Sequence, residues 1–330
     1  YHPLDRGFEG IYNGLNSVLP DRSNMITNVS NGGRFWTVYS YSSSVPGDFY
    51  ILDTSNNNME YMGSAYPQLN DVAMAPSTHI IYEARDGLKV PAYVTLPANA
   101  GDEPLPFIVL PHGGPYARDT EAFDFWAQYL AYLGYGVIQP NFRGSEGYGD
   151  GYEAAGYGEW GRKMQDDVTD ATHWVIEKVL ADHNRICIAG GSYGGYAAFM
   201  GVIREPGLYK CAISLNGVTD LPLQIRDWKK FVGGEQYLQA VRPGDDDTSI
   251  RDVSPVHNMD KINVPILLVQ GDIDRSVSVR HGRRMAKALK RAGVEHKYIE
   301  QEDGDHFLSY EANRIEFLRE MGAFLDQHLK

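Results

Sequence analysis

Residues Gly190-Gly-Ser-Tyr-Gly-Gly195 set one serine, Ser192, among glycines, directly after the apolar run Arg185-Ile-Cys-Ile-Ala189 and directly before Tyr196-Ala-Ala-Phe-Met200. A strand that turns straight into a helix in this way forces the serine into strained dihedrals, and only glycines two residues to either side leave room for the turn. The helix then aims its free N–H groups and positive dipole end at the exposed hydroxyl. This is the pattern of a nucleophile elbow, and it requires a parallel sheet at whose carboxyl edge the turn can sit. The bare G-x-S-x-G string is weak: with 35 glycines in 330 residues, roughly 0.2 chance matches are expected. The flanking strand and helix patterns carry the reading.

A serine nucleophile needs a general base, and the base needs an orienting carboxylate, in the chain order Ser, Asp, His for this kind of turn. Pro265-Ile-Leu-Leu-Val-Gln-Gly271 predicts a short apolar strand, and the loop beyond it carries Asp272 and Asp274. A second strand-like run, His296-Lys-Tyr-Ile299, leads through Glu300-Gln-Glu-Asp-Gly-Asp305 to His306. Each group taken alone reads as an ordinary loop or capping residue. Placed after two separate strands and in order behind the elbow, they form a candidate triad, with Asp272 and Asp274 rival orienters. The developing oxyanion needs two backbone N–H donors. Tyr193, the residue after the nucleophile, supplies one, and the loop His112-Gly-Gly-Pro115 after the strand Leu105–Leu110 supplies the other, unless it is only a tight turn.

A formal charge of −13 disfavours nucleic acid and anionic membrane as partners, since both need a basic face. No stretch approaches the ~18 apolar residues of a membrane helix. The basic segment Arg280 to Arg291 carries an inward stripe of Met285, Ala286 and Leu289, so its charges read as a solvated helix face, and Asp245-Asp-Asp247 reads as a solvated loop. Cys187 and Cys211 each fall inside a predicted core strand, which favours buried free thiols over a bridge and fits a reducing, cytoplasmic compartment. Neither C-x-x-C nor H-E-x-x-H occurs, so no metal and no cofactor is implied. The chain starts at Tyr1 without an apolar signal region, as a processed start or a fragment would, and its compartment is not legible there.

The first 75 residues differ from the rest. Alternating runs at 34–41, 48–53 and 59–62, separated by Ser-Val-Pro-Gly and Ser-Asn-Asn-Asn turns, predict a β-meander resembling one propeller blade. A lone blade buries little, so an oligomer formed through this meander is one expectation. From residue 76 to 330 strand and helix signals alternate, beginning with a hairpin around Asp86-Gly87. About eight strands with interleaved helices predict an α/β fold: a mostly parallel sheet with helices on both faces. Tyr157, Trp160, Tyr196 and Trp228 stand near the predicted loops and serve either as pocket wall or as core.

Several motifs in register resemble the catalytic domain of the prolyl oligopeptidase family of serine peptidases, closest to its acylaminoacyl peptidase and dipeptidyl-peptidase-like branch. They are His112-Gly-Gly-Pro115, Asn141-Phe-Arg-Gly-Ser145 with Gly147-Tyr-Gly149, Gly190-Gly-Ser-Tyr-Gly-Gly195, Gly271-Asp-Ile-Asp274 and Asp305-His306. The resemblance covers about residues 76 to 330 and implies an α/β-hydrolase fold. It implies Ser192 as nucleophile, His306 as base, Asp274 as orienter, and the Gly114 and Tyr193 amides as the oxyanion hole. It also makes the meander the remnant of a propeller. Gln270 stands where the family often has histidine, and Ser276 where an arginine or asparagine binds a substrate carbonyl. The implied activity is cleavage of short peptides or acyl-peptides. A carboxylesterase acting on small acyl esters is the alternative, and a non-catalytic binding module on the same scaffold a more distant one.

Overall fold

Runs such as Phe107-Ile-Val109, Val137-Ile138 and Ile266-Leu-Leu-Val269 are apolar at every position, the pattern of parallel strands covered on both faces. In the computed structural model, which describes residues 6–230, 234, 241 and 250–330, these runs lie at the centre of an eight-stranded sheet of order β12-β11-β10-β9-β7-β8-β6-β5. The strands are β5 (Ser77–Glu83), β6 (Lys89–Thr95), β7 (Leu105–Val109), β8 (Gly136–Pro140), β9 (Ala181–Gly191), β10 (Cys211–Leu215), β11 (Ile266–Gly271) and β12 (His296–Gln301). From β8 through β12 by way of β7, β9, β10 and β11, each pairing is parallel, while β6 joins β8 antiparallel. Every residue of β8, β10 and β11 is buried, and because successive side chains point to opposite faces, both faces are covered.

The covering helices include α4 (Lys163–Glu177), α5 (Tyr193–Arg204), α7 (Arg280–Ala292) and α8 (Glu311–Leu329); the chain also forms the shorter helices α2 (Phe125–Tyr132), α3 (Asp150–Ala154) and α6 (Leu221–Trp228). α5 packs on β9 and β10, α8 on β9, β10 and β11, and α7 on β11 and β12. This is the α/β-hydrolase arrangement. The stripe on α7 does point inward, with Met285 and Leu289 fully buried. The chain divides into two compact units, residues 1–77 with 121–128, and the remainder.

Within the first unit, four antiparallel strands in the order β1 (Ser23–Val29), β2 (Phe35–Ser42), β3 (Val45–Asp53) and β4 (Asn58–Ser64) form the meander. It is preceded by a helix, α1 (Arg6–Val18), that the sequence reading left out. Phe8, Ile11 and Leu15 supply a stripe at helical spacing, and they pack with Trp36, Val38 and Leu52. Gly10, Asn13, Gly14 and Asn16 dilute that signal, since each is a weak helix former.

The expectation of free thiols is corrected. Cys187 and Cys211 sit opposite one another in the parallel register of β9 and β10, with Cα atoms 4.9 Å apart, and are joined as a disulfide. Both runs read as strands, but that they neighbour each other, in that register, is a tertiary fact the sequence does not display. The Asp245–Asp247 run lies outside the described residues.

Candidate active site

The carboxyl ends of β9, β10, β11 and β12 converge on one edge of the sheet, and the loops leaving them carry the candidate residues. Ser192 has φ 57° and ψ −118° at the head of α5, a conformation that bulky L-residues avoid. The surrounding glycines are sterically required: a Cβ on Gly190 would meet the Gly194 carbonyl carbon at 2.5 Å, and one on Gly194 would meet Pro111 O at 2.1 Å. The turn is tied to the next strand by Ser192 N–H donating to Leu215 O at 2.9 Å.

Asp274 and His306 are brought together: His306 Nδ1–H donates to Asp274 Oδ2 at 2.7 Å, which leaves Nε2 as the free, basic nitrogen. The other oxygen, Oδ1, accepts from the Ser276 and Val277 amides, each at 2.8 Å. Asp274 is buried and the imidazole mostly so, with 11 % of its side chain exposed. The carboxylate on the ring is therefore that of Asp274 and not of Asp272. Among the described residues no hydrogen bond joins Ser192 Oγ to His306, and such contacts commonly tighten only when substrate arrives.

The glycine-rich loop lies against the nucleophile, since a Cβ on Gly113 would sit 3.4 Å from the Ser192 Cβ. Gly114 follows with φ 118° and a cis peptide to Pro115. His112 braces this loop. Burial pushes it down to about 4, so the ring is neutral at neutral pH; its Nδ1 lies 2.7 Å from Gly113 O and its Nε2 2.8 Å from Ser145 Oγ, whose own proton goes to Phe142 O at 2.7 Å. Its ring stacks on Phe142, centroids 4.4 Å apart. Tyr193 presents its backbone N–H at the first turn of α5 while its ring is buried against Phe142, Trp160 and Tyr196. Trp160 and Tyr196 belong to the core, and Tyr157 is exposed.

The sequence reading missed Asn216, at the end of β10. Its side chain accepts from Gly271 N–H at 2.8 Å and donates to Asp305 O at 3.0 Å and His306 O at 3.2 Å, while its own N–H reaches Val269 O. One buried amide thus joins the strand that leads to the acid with the loop that carries the base. The backbone at Asn216 has φ 50°, tolerated best by Asn among non-glycine residues. Asn216→Ala is expected to lower kcat on a p-nitrophenyl ester by at least about tenfold with KM little changed, because displacing the base by a fraction of an ångström wastes its alignment. A variant with unaltered kcat would remove Asn216 from this role. Gln270, noted above only as a departure, donates to Val277 O at 2.9 Å and so holds the acid loop closed.

His281, at the start of α7, is a second buried histidine outside the acid–base pair; it accepts at Nδ1 from Thr219 N–H at 3.1 Å, and burial holds it down to about 4. Unfolded histidine titrates near ~6.5, so between that value and about 4 the unfolded chain binds more protons than the folded one. The stability due to His112 and His281 is complete above pH ~6.5 and is lost as pH falls. Asp167, pushed up to about 6 by burial, works in the opposite sense and offsets part of this. Acidification from pH 7 to 4.5 should therefore cost on the order of 3 kcal/mol, read from urea midpoints, with a shallower slope for His281→Asn. A flat profile would contradict it.

A model described as the prolyl oligopeptidase family matches residues 121–330. Dipeptidyl aminopeptidase BIII of Pseudoxanthomonas mexicana is 32% identical over 308 residues, covering 90% of this chain and 45% of that protein. The acylamino-acid-releasing enzyme of Rattus norvegicus is 28% identical over 253 residues, 72% of this chain and 34% of its own. The solved puromycin-hydrolyzing peptidase of Mycobacterium tuberculosis superposes with a TM-score of 0.80 at 27% identity, covering 90% of this chain and 46% of that one. The chain spans about half the length of the curated relatives it matches over most of its own, between 45% and 47%. No helix among the described residues is long and apolar enough to cross a membrane.

Proposed function

The chain belongs to the prolyl oligopeptidase family, and from that premise we propose that it is the catalytic part of a serine peptidase cleaving short peptides or acyl-peptides through an acyl-Ser192 intermediate. The observation that carries the reading is the His306–Asp274 pair, in contact at 2.7 Å, on loops that leave the same sheet edge as the strained elbow of Ser192.

In the first half-reaction the Ser192 hydroxyl proton passes to His306 Nε2 as Oγ bonds to the substrate carbonyl carbon. The carbonyl oxygen gains the negative charge, which the Tyr193 and Gly114 amides are aimed to receive. Collapse of the tetrahedral species breaks the C–N bond, and His306 returns its proton to the departing amine. Water then repeats the sequence: it gives a proton to Nε2, adds to the acyl carbon, and expels Ser192 Oγ, which takes the proton back. Asp274 keeps the imidazole in the tautomer with Nδ1 protonated and stabilises the cation formed in each half.

A fluorophosphonate probe should label the protein once, at Ser192 by peptide mapping. Labelled protein that hydrolyses p-nitrophenyl esters but no acyl-alanine anilide would move the reading to an esterase. No labelling at all would sink it.

A further inference from the structure

We infer that Phe307, together with Ile273, forms an apolar platform for the leaving-group side of the substrate, so that the enzyme favours scission ahead of an apolar, above all aromatic, residue. The inference rests on the acyl-Ser192 reading and adds to it the chemistry of the departing amine.

Phe307 directly follows the base, and its ring stands edge-to-face with the imidazole of His306, centroids 5.1 Å apart at an interplanar angle of 89°. Yet 79 % of the residue is open to solvent. A phenylalanine held against the imidazole for packing alone would be expected to bury its ring, since such a side chain gains mainly by leaving water. Here the local backbone turns it outward. Asp305 Oδ1 accepts from Phe307 N–H at 3.1 Å and Ser309 N–H at 2.9 Å, and the next residue, Leu308, takes φ 53° with its side chain buried. Leu308 is neither Gly, Asn nor Asp, so this left-handed backbone is strained. The strain and the two amide bonds together fix Leu308 inward and Phe307 outward.

The chemistry says what an outward ring in this place meets. His306 must deliver its proton from Nε2 to the departing nitrogen, which brings that nitrogen within about 3 Å of the imidazole. Atoms attached to it therefore pass over the surface beside the ring, whereas the acyl portion lies towards Ser192 and the Gly113–Gly114 loop. Ile273, 46 % exposed, stands on the adjoining loop: its N–H donates to Gly304 O at 3.1 Å, which stitches the acid loop to the loop carrying His306. Two exposed apolar side chains thus stand on the two joined loops that hold the acid and the base, with Phe307 against the base itself.

The test uses one acyl group and two leaving groups: N-acetyl-alanyl-phenylalaninamide and N-acetyl-alanyl-glycinamide, with the p-nitrophenyl ester of the same acyl group. The wild-type protein should prefer the phenylalaninamide, and Phe307→Ala should cut that preference in kcat/KM by about tenfold, with Phe307→Leu in between. Deacylation has no leaving amine in the site, so its rate constant, from pre-steady-state bursts with the ester, should stay within about twofold. Equal loss in acylation and deacylation would make Phe307 a support for His306 and overturn the inference, as would an unchanged preference. Because the residue is exposed, Phe307→Ala should fold normally, with its melting temperature as the check. Failure of these ratios in a protein that still labels at Ser192 condemns only the leaving-group inference; absence of labelling condemns the serine mechanism instead.

Discussion

Ser192→Ala is expected to lower kcat on p-nitrophenyl esters by about 10⁶-fold and to abolish fluorophosphonate labelling, while leaving the melting temperature within a few degrees. The loss is large because no neighbouring group can replace Oγ as the atom that bonds to the acyl carbon, and the residue left behind is only a set of N–H donors that still bind the carbonyl. Stability should hold or rise, since alanine deletes no hydrogen bond made by the Ser192 hydroxyl among the described residues. Asp274→Asn isolates a different part of the mechanism. Its amide can still accept the Ser276 and Val277 N–H groups, so the loop is retained. Whichever way the amide turns, it cannot both keep those bonds and accept from Nδ1–H without presenting its NH₂ to a donor, so the imidazole is driven to the wrong tautomer. A fall of about 10⁴-fold in kcat is expected. Asp272→Asn should change little, because the carboxylate bonded to His306 belongs to Asp274. Loss in the Asp272 variant with activity kept in the Asp274 variant would reverse the assignment, and near-normal turnover of Ser192→Ala would end the serine mechanism.

How far the sequence carries is set by whether a feature is local. The elbow is local: strand, glycines, serine and helix lie within sixteen consecutive residues, and their steric logic can be read without knowing any neighbour. The parallel sheet is legible for a related reason, since strands covered on both faces write themselves as unbroken apolar runs. Asp274 follows one such strand and His306 follows the more polar edge strand His296–Gln301, but choosing Asp274 over Asp272 needs the loop geometry, in which the Ser276 and Val277 amides turn one carboxylate towards the ring. Asn216 could not have been found in this way. Its three side-chain partners, Gly271, Asp305 and His306, are 55 to 90 residues distant, and nothing around it in the chain marks it. The Cys187–Cys211 pair failed for the same reason: register between β9 and β10 is a property of the sheet. A signal for α1 existed in the spacing of Phe8, Ile11 and Leu15, but glycines and asparagines of low helix propensity obscured it; burial against Trp36 and Val38 overrides that propensity.

Arg143→Ala should cost about 3–5 kcal/mol and lower the melting temperature by roughly 6–15 °C, although Arg143 touches none of the reacting groups. Its guanidinium donates to both oxygens of Asp167, from Nε to Oδ2 at 2.8 Å and from Nη2 to Oδ1 at 2.7 Å, and its other bonds reach Asp86 at 2.8 and 2.9 Å. The Arg143 backbone N–H adds a further bond to Asp167 at 2.8 Å. Asp167 is fully buried on α4, and Asp86 sits in the turn between β5 and β6, so one side chain fastens a helix, a hairpin and the loop leaving β8. Even beside this cation, burial pushes Asp167 up to about 6, which leaves it ionised at neutral pH but with little margin. Removing the arginine strands that charge in the interior, and the chain must then take up a proton or rearrange, the origin of the expected cost. Arg143→Met combined with Asp167→Leu removes both charges and should recover at least half of the loss, which no model of simple cavity formation at Arg143 predicts. Activity should fall with stability: two residues beyond Arg143, Ser145 Oγ is hydrogen-bonded to His112, and His112 in turn holds Gly113 beside Ser192. Thermal melts of the single and double variants, taken with ester turnover well below the melting range, decide it. A single variant that melts within about 2 °C of the wild type would show that the buried pair contributes no more than a surface one.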